Sequence, residues 1–325
     1  MNASIRIVVL GKTGAGKSSL ANTIFGETVF KIDSSPKSGT SECKAETKSI
    51  KGRSIMWIDT PGFFDTERSE EKMKPEIVRC ITECAPGPHV ILIVLKVEKF
   101  TEQEQDIIKK MQQYFSEEAL KYAIVLFTHG DQLPDQETIE QFVNQSEDLS
   151  DLVKKCGGRC HTIDNKYWKH NQQDEYRSNQ FQVEELLKTI DQMIEANNRG
   201  CYTNDMLQIV KREIEEEQVC IEKSSANMSP EETTHKAKTS VFEKLLLTVA
   251  GVTTGALLGA FLGGALKLSK EEGPTVALAV GVAIGTTAGI AAVPNVTEGA
   301  TAEAPTPSGT VSIASAVHTA AEHQE

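Results

Sequence analysis

The chain has 325 residues and a formal net charge of −12. That length buries a sizeable core and fits one large domain with appendages. The acidic surplus leaves no basic surface to collect phosphates, which excludes nucleic acid as a partner.

At the N-terminus, Ser4-Ile5-Arg6-Ile7-Val8-Val9-Leu10 is an apolar, β-branched run that predicts a buried strand. It stands where a charged-apolar-small signal sequence would otherwise be, so the expectation is a cytosolic domain. Asn2 excludes N-myristoylation. Gly11-Lys12-Thr13-Gly14-Ala15-Gly16-Lys17-Ser18 follows directly, and Ser19-Leu20-Ala21-Asn22-Thr23-Ile24-Phe25 then reads as the first turns of a helix. Strand, G-x-x-x-x-G-K-[ST] and helix in that order predict a phosphate-binding loop for a nucleoside triphosphate. Glycine lets the backbone curl so that successive N–H groups face phosphate oxygens, and the helix dipole points at the same place. Lys17 is expected to reach the β- and γ-phosphates, with the Ser18 hydroxyl a ligand of Mg²⁺. A chance glycine-rich turn is the alternative, and it leaves the flanking strand and helix unexplained.

A second strand pattern, Ser54-Ile55-Met56-Trp57-Ile58-Asp59, ends in Asp59-Thr60-Pro61-Gly62. Asp59 is expected to hold Mg²⁺ through a water, and the Gly62 N–H to meet the γ-phosphate. Tyr122-Ala123-Ile124-Val125-Leu126-Phe127-Thr128 is another buried strand, running into Thr128-His129-Gly130-Asp131. There a carboxylate at Asp131 would accept from N1–H and N2–H₂ of guanine, a donor pair adenine lacks. His129 stands where lysine is usual, which would put an imidazole over the base. Helices near 67–84, 101–115, 136–144 and 181–196 alternate with the strands, the pattern of a parallel sheet covered on both faces.

Seven cysteines, at 43, 80, 84, 156, 160, 201 and 220, are scattered and odd in number, unlike a disulfide framework. Cys156-Gly157-Gly158-Arg159-Cys160-His161 invites a zinc reading, but no second matching pair accompanies it, so reduced structural thiols are expected. From 205 to 223 the apolar spacing predicts an amphipathic extension folded back on the domain, with Glu213, Glu215, Glu216 and Glu217 on exposed turns. Residues 224–235 read as a polar linker. Residues 245–266 carry no charge and at helical rise would span ~33 Å. Residues 274–294 are also uncharged. Gly251, Gly255, Gly259 and Gly263 recur every fourth residue, as do Gly281, Gly285 and Gly289. Such stripes suit close helix contact in lipid; inside a soluble helix each glycine costs about 1 kcal/mol. The expectation is a hydrophobic hairpin anchoring the chain in a membrane, with buried soluble helices as the alternative. Residues 300–325, rich in Ala, Thr, Ser, Pro and Glu, read as disordered.

These motifs together resemble one family, the immunity-associated or AIG-type GTPases. The resemblance rests on the loop from Gly11 to Ser19, on Trp57-Ile58-Asp59-Thr60-Pro61-Gly62-Phe63-Phe64-Asp65-Thr66, and on Thr128-His129-Gly130-Asp131-Gln132-Leu133. It also rests on Gly87-Pro88-His89-Val90-Ile91-Leu92-Ile93-Val94-Leu95 with Phe100-Thr101-Glu102-Gln103-Glu104. It covers residues 1 to 215 and implies an α/β P-loop GTPase sandwich with a mostly parallel sheet. Four parts are expected: a G domain over 1–200, a helical extension and linker over 201–244, a membrane anchor over 245–294 and a tail over 295–325. The resemblance implies GTP or GDP with Mg²⁺, and self-association through the G domain. It assigns Thr40 to the switch that closes on Mg²⁺ and the γ-phosphate, with Thr47 as the alternative. It assigns Asn165, in Thr162-Ile163-Asp164-Asn165-Lys166, to a further base-contacting loop; a plain turn residue is the alternative.

Ras-like enzymes orient the attacking water with a glutamine after the D-x-x-G glycine; here that position is Phe63. Thr13 fills a loop position where those enzymes keep glycine to admit an arginine finger. Both substitutions predict weak hydrolysis in a monomer; the resemblance implies catalytic help from a partner copy, for which Arg53, Arg68 and His89 are the candidates. A GTP-loaded membrane scaffold with negligible turnover is the second expectation.

Overall fold

Successive residues of the first strand, β1 (Ile5–Gly11), bury on opposite sides of one sheet: Val8 and Leu10 enter one apolar core, Ile7 and Val9 another. That two-sided burial is why the run is continuously apolar. In a computed structural model of the chain, residues 4–32, 40, 42–64, 69–98, 102–168, 175–224 and 228–264 are described. The remaining elements, in chain order, are α1 (Lys17–Phe25), β2 (Lys44–Ile50), β3 (Arg53–Asp59), α2 (Glu70–Cys84), β4 (Val90–Lys96), α3 (Glu102–Tyr114), α4 (Glu117–Leu120), β5 (Ala123–Thr128), α5 (Ile139–Val143), α6 (Glu147–Lys155), β6 (Cys160–Thr162), α7 (Asn179–Ala196), α8 (Asp205–Ser224), α9 (Pro230–Thr248) and α10 (Thr254–Leu262).

The six strands lie in the order β2-β3-β1-β4-β5-β6. All pairs are parallel except β2–β3. The sheet is therefore the mostly parallel α/β sheet that the sequence predicts. β2 alternates exposed and half-buried residues because it is an antiparallel edge with one face in solvent. Helices α1 and α7 cover one face and α2, α3 and α8–α10 contribute to the core on the other.

Three expectations about the C-terminal part are corrected. Residues 224–235 are not only a linker: α9 begins at Pro230, nucleated by Ser229 and Glu232 in a reciprocal capping box with Pro at the first helical position. Glu213 is buried rather than exposed, because α9 packs along α8 and covers it. Residues 245–266 do not form one spanning helix. α9 stops at Thr248, the Thr253 hydroxyl caps a new helix by accepting from the Ala256 N–H, and Gly263 ends it in the left-handed region at φ 72°. Among the described residues no helix is long and apolar enough to cross a membrane.

The apolar side chains of that segment instead complete the core. Leu245, Val249, Leu257, Phe261 and Leu262 are buried with α2, α3 and α8 residues. Polar clasps fix the packing: Ser116 N–H donates to the Leu262 carbonyl at 3.0 Å, Asn204 donates to those of Ala260 and Phe261 at 2.9 Å, and Lys74 donates to that of Ala250 at 2.7 Å. Only Gly255 and Gly259 of the first glycine ladder lie inside a helix, so the helix-interior penalty falls on two residues rather than four. The 274–294 segment and the tail 295–325 lie outside the described residues.

Candidate functional site

The parallel strands β1, β3, β4 and β5 all end toward one edge, and the loops there hold most of the residues singled out from sequence. Gly14 and Gly16 take φ of 76° and 83°, left-handed values open to glycine. Gly11 is needed for close approach, since a Cβ there would run into the Val94 carbonyl. Residues 11–16 thus form the curled backbone whose N–H groups would cradle phosphate, and α1 follows with its N-terminus at Lys17. Lys17 is buried, its ammonium donating to the Gly11 and Lys12 carbonyls at 3.0 Å each.

Ser18, Thr40 and Asp59 come from α1, from the segment before β2 and from the end of β3, and they meet. Ser18 Oγ lies 2.5 Å from Asp59 Oδ2 and 2.8 Å from Thr40 Oγ1. Thr47, the alternative to Thr40, lies in β2 opposite Met56. Burial pushes the Asp59 carboxyl up, while the Ser18 hydrogen bond and the Lys17 charge pull it back; it ends above the usual carboxylate range. Its second oxygen, Oδ1, is buried without a hydrogen-bond partner. A buried carboxylate oxygen left in that condition beside two hydroxyls fits a hydrated divalent cation, whose charge would bring the carboxyl back to its ionised form.

The opposite flank is built by the turn after β5 and the loop after β6. Thr128 donates to the Ala15 carbonyl at 2.8 Å and so ties β5 to the phosphate loop. His129 stands at φ 60° with its Nδ1 3.0 Å from Thr128 Oγ1. Gly130 donates its N–H to the Ile163 carbonyl, joining the two loops beside Asp131. Asn165 turns toward the phosphate loop: its Oδ1 accepts from Thr23 Oγ1 at 3.0 Å and its Nδ2 donates to the Gly16 carbonyl at 3.4 Å. It serves to fasten that loop, a role neither sequence reading foresaw. Asn179, at the start of α7, donates to the Asp164 carbonyl at 2.5 Å and accepts from its N–H at 3.2 Å. Buried Trp168 lies against Gly130. Trp168 and Asn179 were missed in the sequence because neither belongs to a nucleotide motif.

Two partner-copy candidates are corrected. Arg53 begins β3 and His89 immediately precedes β4, at the strand starts, the sheet edge opposite the phosphate loop. Arg53 is held by both oxygens of Asp191, and His89 Nδ1 accepts the Arg6 N–H at 2.9 Å. Both are engaged in fold contacts at the wrong end. Arg68 lies outside the described residues. Phe63 and Phe64 are buried in the core behind Gly62, so no hydrogen-bonding side chain follows that glycine. Cys156 and Cys160 are free thiols pushed up to about 12, each by burial. His161 Nε2 lies 2.9 Å from Thr189 Oγ1.

A phosphate loop at the tip of β1, an acid at the tip of β3 and an acid-bearing turn at the tip of β5 define a P-loop nucleotide-binding fold. The family model described as the AIG1 family matches residues 5–222, and the chain belongs to that family. It is 36% identical over 216 residues to immune-associated nucleotide-binding protein 8 of Arabidopsis thaliana, a match covering 64% of this chain and 59% of that protein. With GTPase IMAP family member 8 of Homo sapiens it shares 31% over 202 residues, covering 62% of this chain and 29% of that one. Among solved structures it resembles Toc33 of Arabidopsis thaliana in complex with GDP and Mg²⁺, at 24% identity and a TM-score of 0.45, over 59% of this chain and 84% of that one.

Proposed function

We propose that the chain binds GTP and GDP with Mg²⁺ and hydrolyses GTP slowly, when two copies meet through their G domains. The observation that carries this reading is the meeting of Ser18, Thr40 and Asp59 beside the curled loop at 11–17. In it, Gly11, Lys12, Thr13, Gly14, Ala15, Gly16, Lys17, Ser18 and Ser19 hold the phosphates. Ser18, Thr40 and, through water, Asp59 hold the ion, which supplies charge neutralisation between the phosphates. Gly62 contacts the γ-phosphate, while Thr128, His129 and Asp131 receive the base, with Asn165 behind. The names of the curated relatives, a nucleotide-binding protein and a GTPase, agree with this reading.

The buried Phe63 favours a second reading, a GTP-loaded oligomer with negligible turnover. Phosphate release measured against protein concentration separates the two. A rate rising with the square of concentration supports assembly-dependent hydrolysis; a flat, near-zero line supports the scaffold. We also propose residence of the G domain at the cytosolic face of an intracellular membrane. With 245–264 folded onto the domain, this now rests on the uncharged sequence 274–294. Carbonate extraction of the full chain beside a version ending at residue 273 tests it: extraction of both alike counts against an anchor.

A further inference from the structure

One buried acid ties a helix to the segment that carries Thr40. Glu76 sits in the second turn of α2 and is only 7% exposed. Its Oε2 accepts the Cys43 backbone N–H at 2.5 Å, a buried contact between residues 33 apart in sequence. The helix itself is fixed: Ile77, Val78 and Ile81 are buried with Ile58 and Ile91 of the sheet, and Lys238 of α9 grips Glu83 at 2.9 Å.

The place of Cys43 gives that contact its meaning. β2 begins at Lys44, opposite Asp59 at the tip of β3, so the Cys43 N–H precedes the ladder. A buried N–H there needs an acceptor from elsewhere, and a carboxylate oxygen is a strong one. Burying an acid is costly unless its oxygens are hydrogen-bonded. Met73 and Ile77 show that apolar side chains suffice for packing on this part of α2. Thr40 stands three residues before Cys43, with its Oγ1 2.8 Å from Ser18 Oγ. The segment bearing Thr40 is thus pinned where it enters the sheet, beside the group formed by Ser18 and Asp59.

We propose that Glu76 is a positioning residue that holds Thr40 in place to receive Mg²⁺ and the γ-phosphate. The inference rests on the reading of Thr40 as the residue that closes on both. GTP with Mg²⁺ uses Thr40, whereas GDP has no γ-phosphate for it to meet. Without the Glu76 contact the segment populates other arrangements, and apparent GTP affinity falls in proportion to the fraction still in place. A hydrogen bond from a backbone N–H to a buried carboxylate is strong enough to shift that population about tenfold. Affinity for GDP, which does not draw on the same arrangement, should change little.

Glu76→Ala and Glu76→Gln test this on the full chain, each alone and combined with Thr40→Ala. Affinities for the non-hydrolysable GTP analogue GMPPNP and for GDP should be measured with Mg²⁺, with folding checked by circular dichroism. E76A should lower GMPPNP affinity about tenfold and leave GDP affinity within about twofold. E76Q, whose amide oxygen still accepts the Cys43 N–H, should restore most of the loss. In the T40A background, E76A should change the ratio of GMPPNP to GDP affinity no further. Equal loss for both nucleotides, or no loss for either, would overturn the inference and leave Glu76 a fold contact. So would a full E76A effect on the ratio in the absence of Thr40. If T40A alone leaves the ratio unchanged, the reading of Thr40 falls and the inference falls with it. If E76A does not fold, amide hydrogen exchange at Cys43 in the wild-type chain decides. By linkage, exchange should be slower with GMPPNP and Mg²⁺ than with GDP and Mg²⁺. Equal exchange with the two nucleotides contradicts the proposal.

Discussion

Gly130 stands against the indole of Trp168, so close that a Cβ at position 130 would come within 2.5 Å of the ring. The indole is 4% exposed and has nowhere to retreat. Its neighbour Asp131 is therefore aimed by a contact that only glycine permits. Gly130→Ala should destabilise the domain by about 1–3 kcal/mol, the usual range for overpacking. It should weaken GDP binding more than phosphate-loop contacts alone would explain. Urea denaturation with GDP titration on the same samples checks both.

The phosphate loop and the Ser18–Asp59 contact make a separable prediction. Lys17→Ala should remove stable triphosphate binding by deleting the one buried ammonium among the described residues of the loop. Ser18→Asn should abolish the advantage Mg²⁺ gives to GTP, because the hydroxyl between Thr40 and Asp59 is lost. Titrations with and without Mg²⁺ read the difference. Wild-type affinity in both variants would mean that the loop is not the phosphate site.

The packing of α10 predicts where the apolar C-terminal sequence matters. Phe261 is fully buried, and Phe261→Ala should cost about 3–5 kcal/mol of stability through lost burial and a cavity. Leu247, 80% exposed on α9, should tolerate alanine within about 0.5 kcal/mol. Chemical denaturation of the two variants distinguishes a core helix from a lipid-facing one, for which Phe261→Ala would be neutral in water.

How far the sequence could be read follows from the range over which each signal acts. The loop at 11–18 and the strands at β1, β3 and β5 were legible because periodicity and glycine spacing are local. Helix α6 went unread although Ser146, Leu149, Leu152, Val153 and the terminal Lys154 and Lys155 mark it. Helix α9 was hidden by its polar first turn, despite the Ser229-Pro230-Glu231-Glu232 signature. The fate of 245–264 was not legible at all. Uncharged apolar residues satisfy a bilayer and a protein groove equally, and the deciding groups, Ser116, Asn204 and Lys74, come from distant parts of the chain. Arg53 and His89 are a different case: the sequence places both at strand starts, and in a parallel sheet those lie at the edge opposite the loop that follows β1.

Acid should weaken the fold through His89. Burial and then the Arg6 charge lower its imidazole to about 4. A depressed pKa means that its contribution to stability is present above the unfolded value near 6.5 and is lost as pH falls toward about 4. His89→Asn keeps an acceptor for the Arg6 N–H and removes the titration. The difference in urea midpoint between pH 7 and pH 5 should be smaller in that variant than in wild type.

On the proposed function, the phosphate loop and Asp131 together select a guanine nucleotide. Competition of unlabelled GDP and ADP against labelled GDP on the full chain, with Mg²⁺ at pH 7.5, tests it most directly. GDP should displace the label and ADP should fail to do so at a hundredfold excess, with Asp131→Asn abolishing the distinction. Equal displacement by GDP and ADP from the wild-type chain would contradict it.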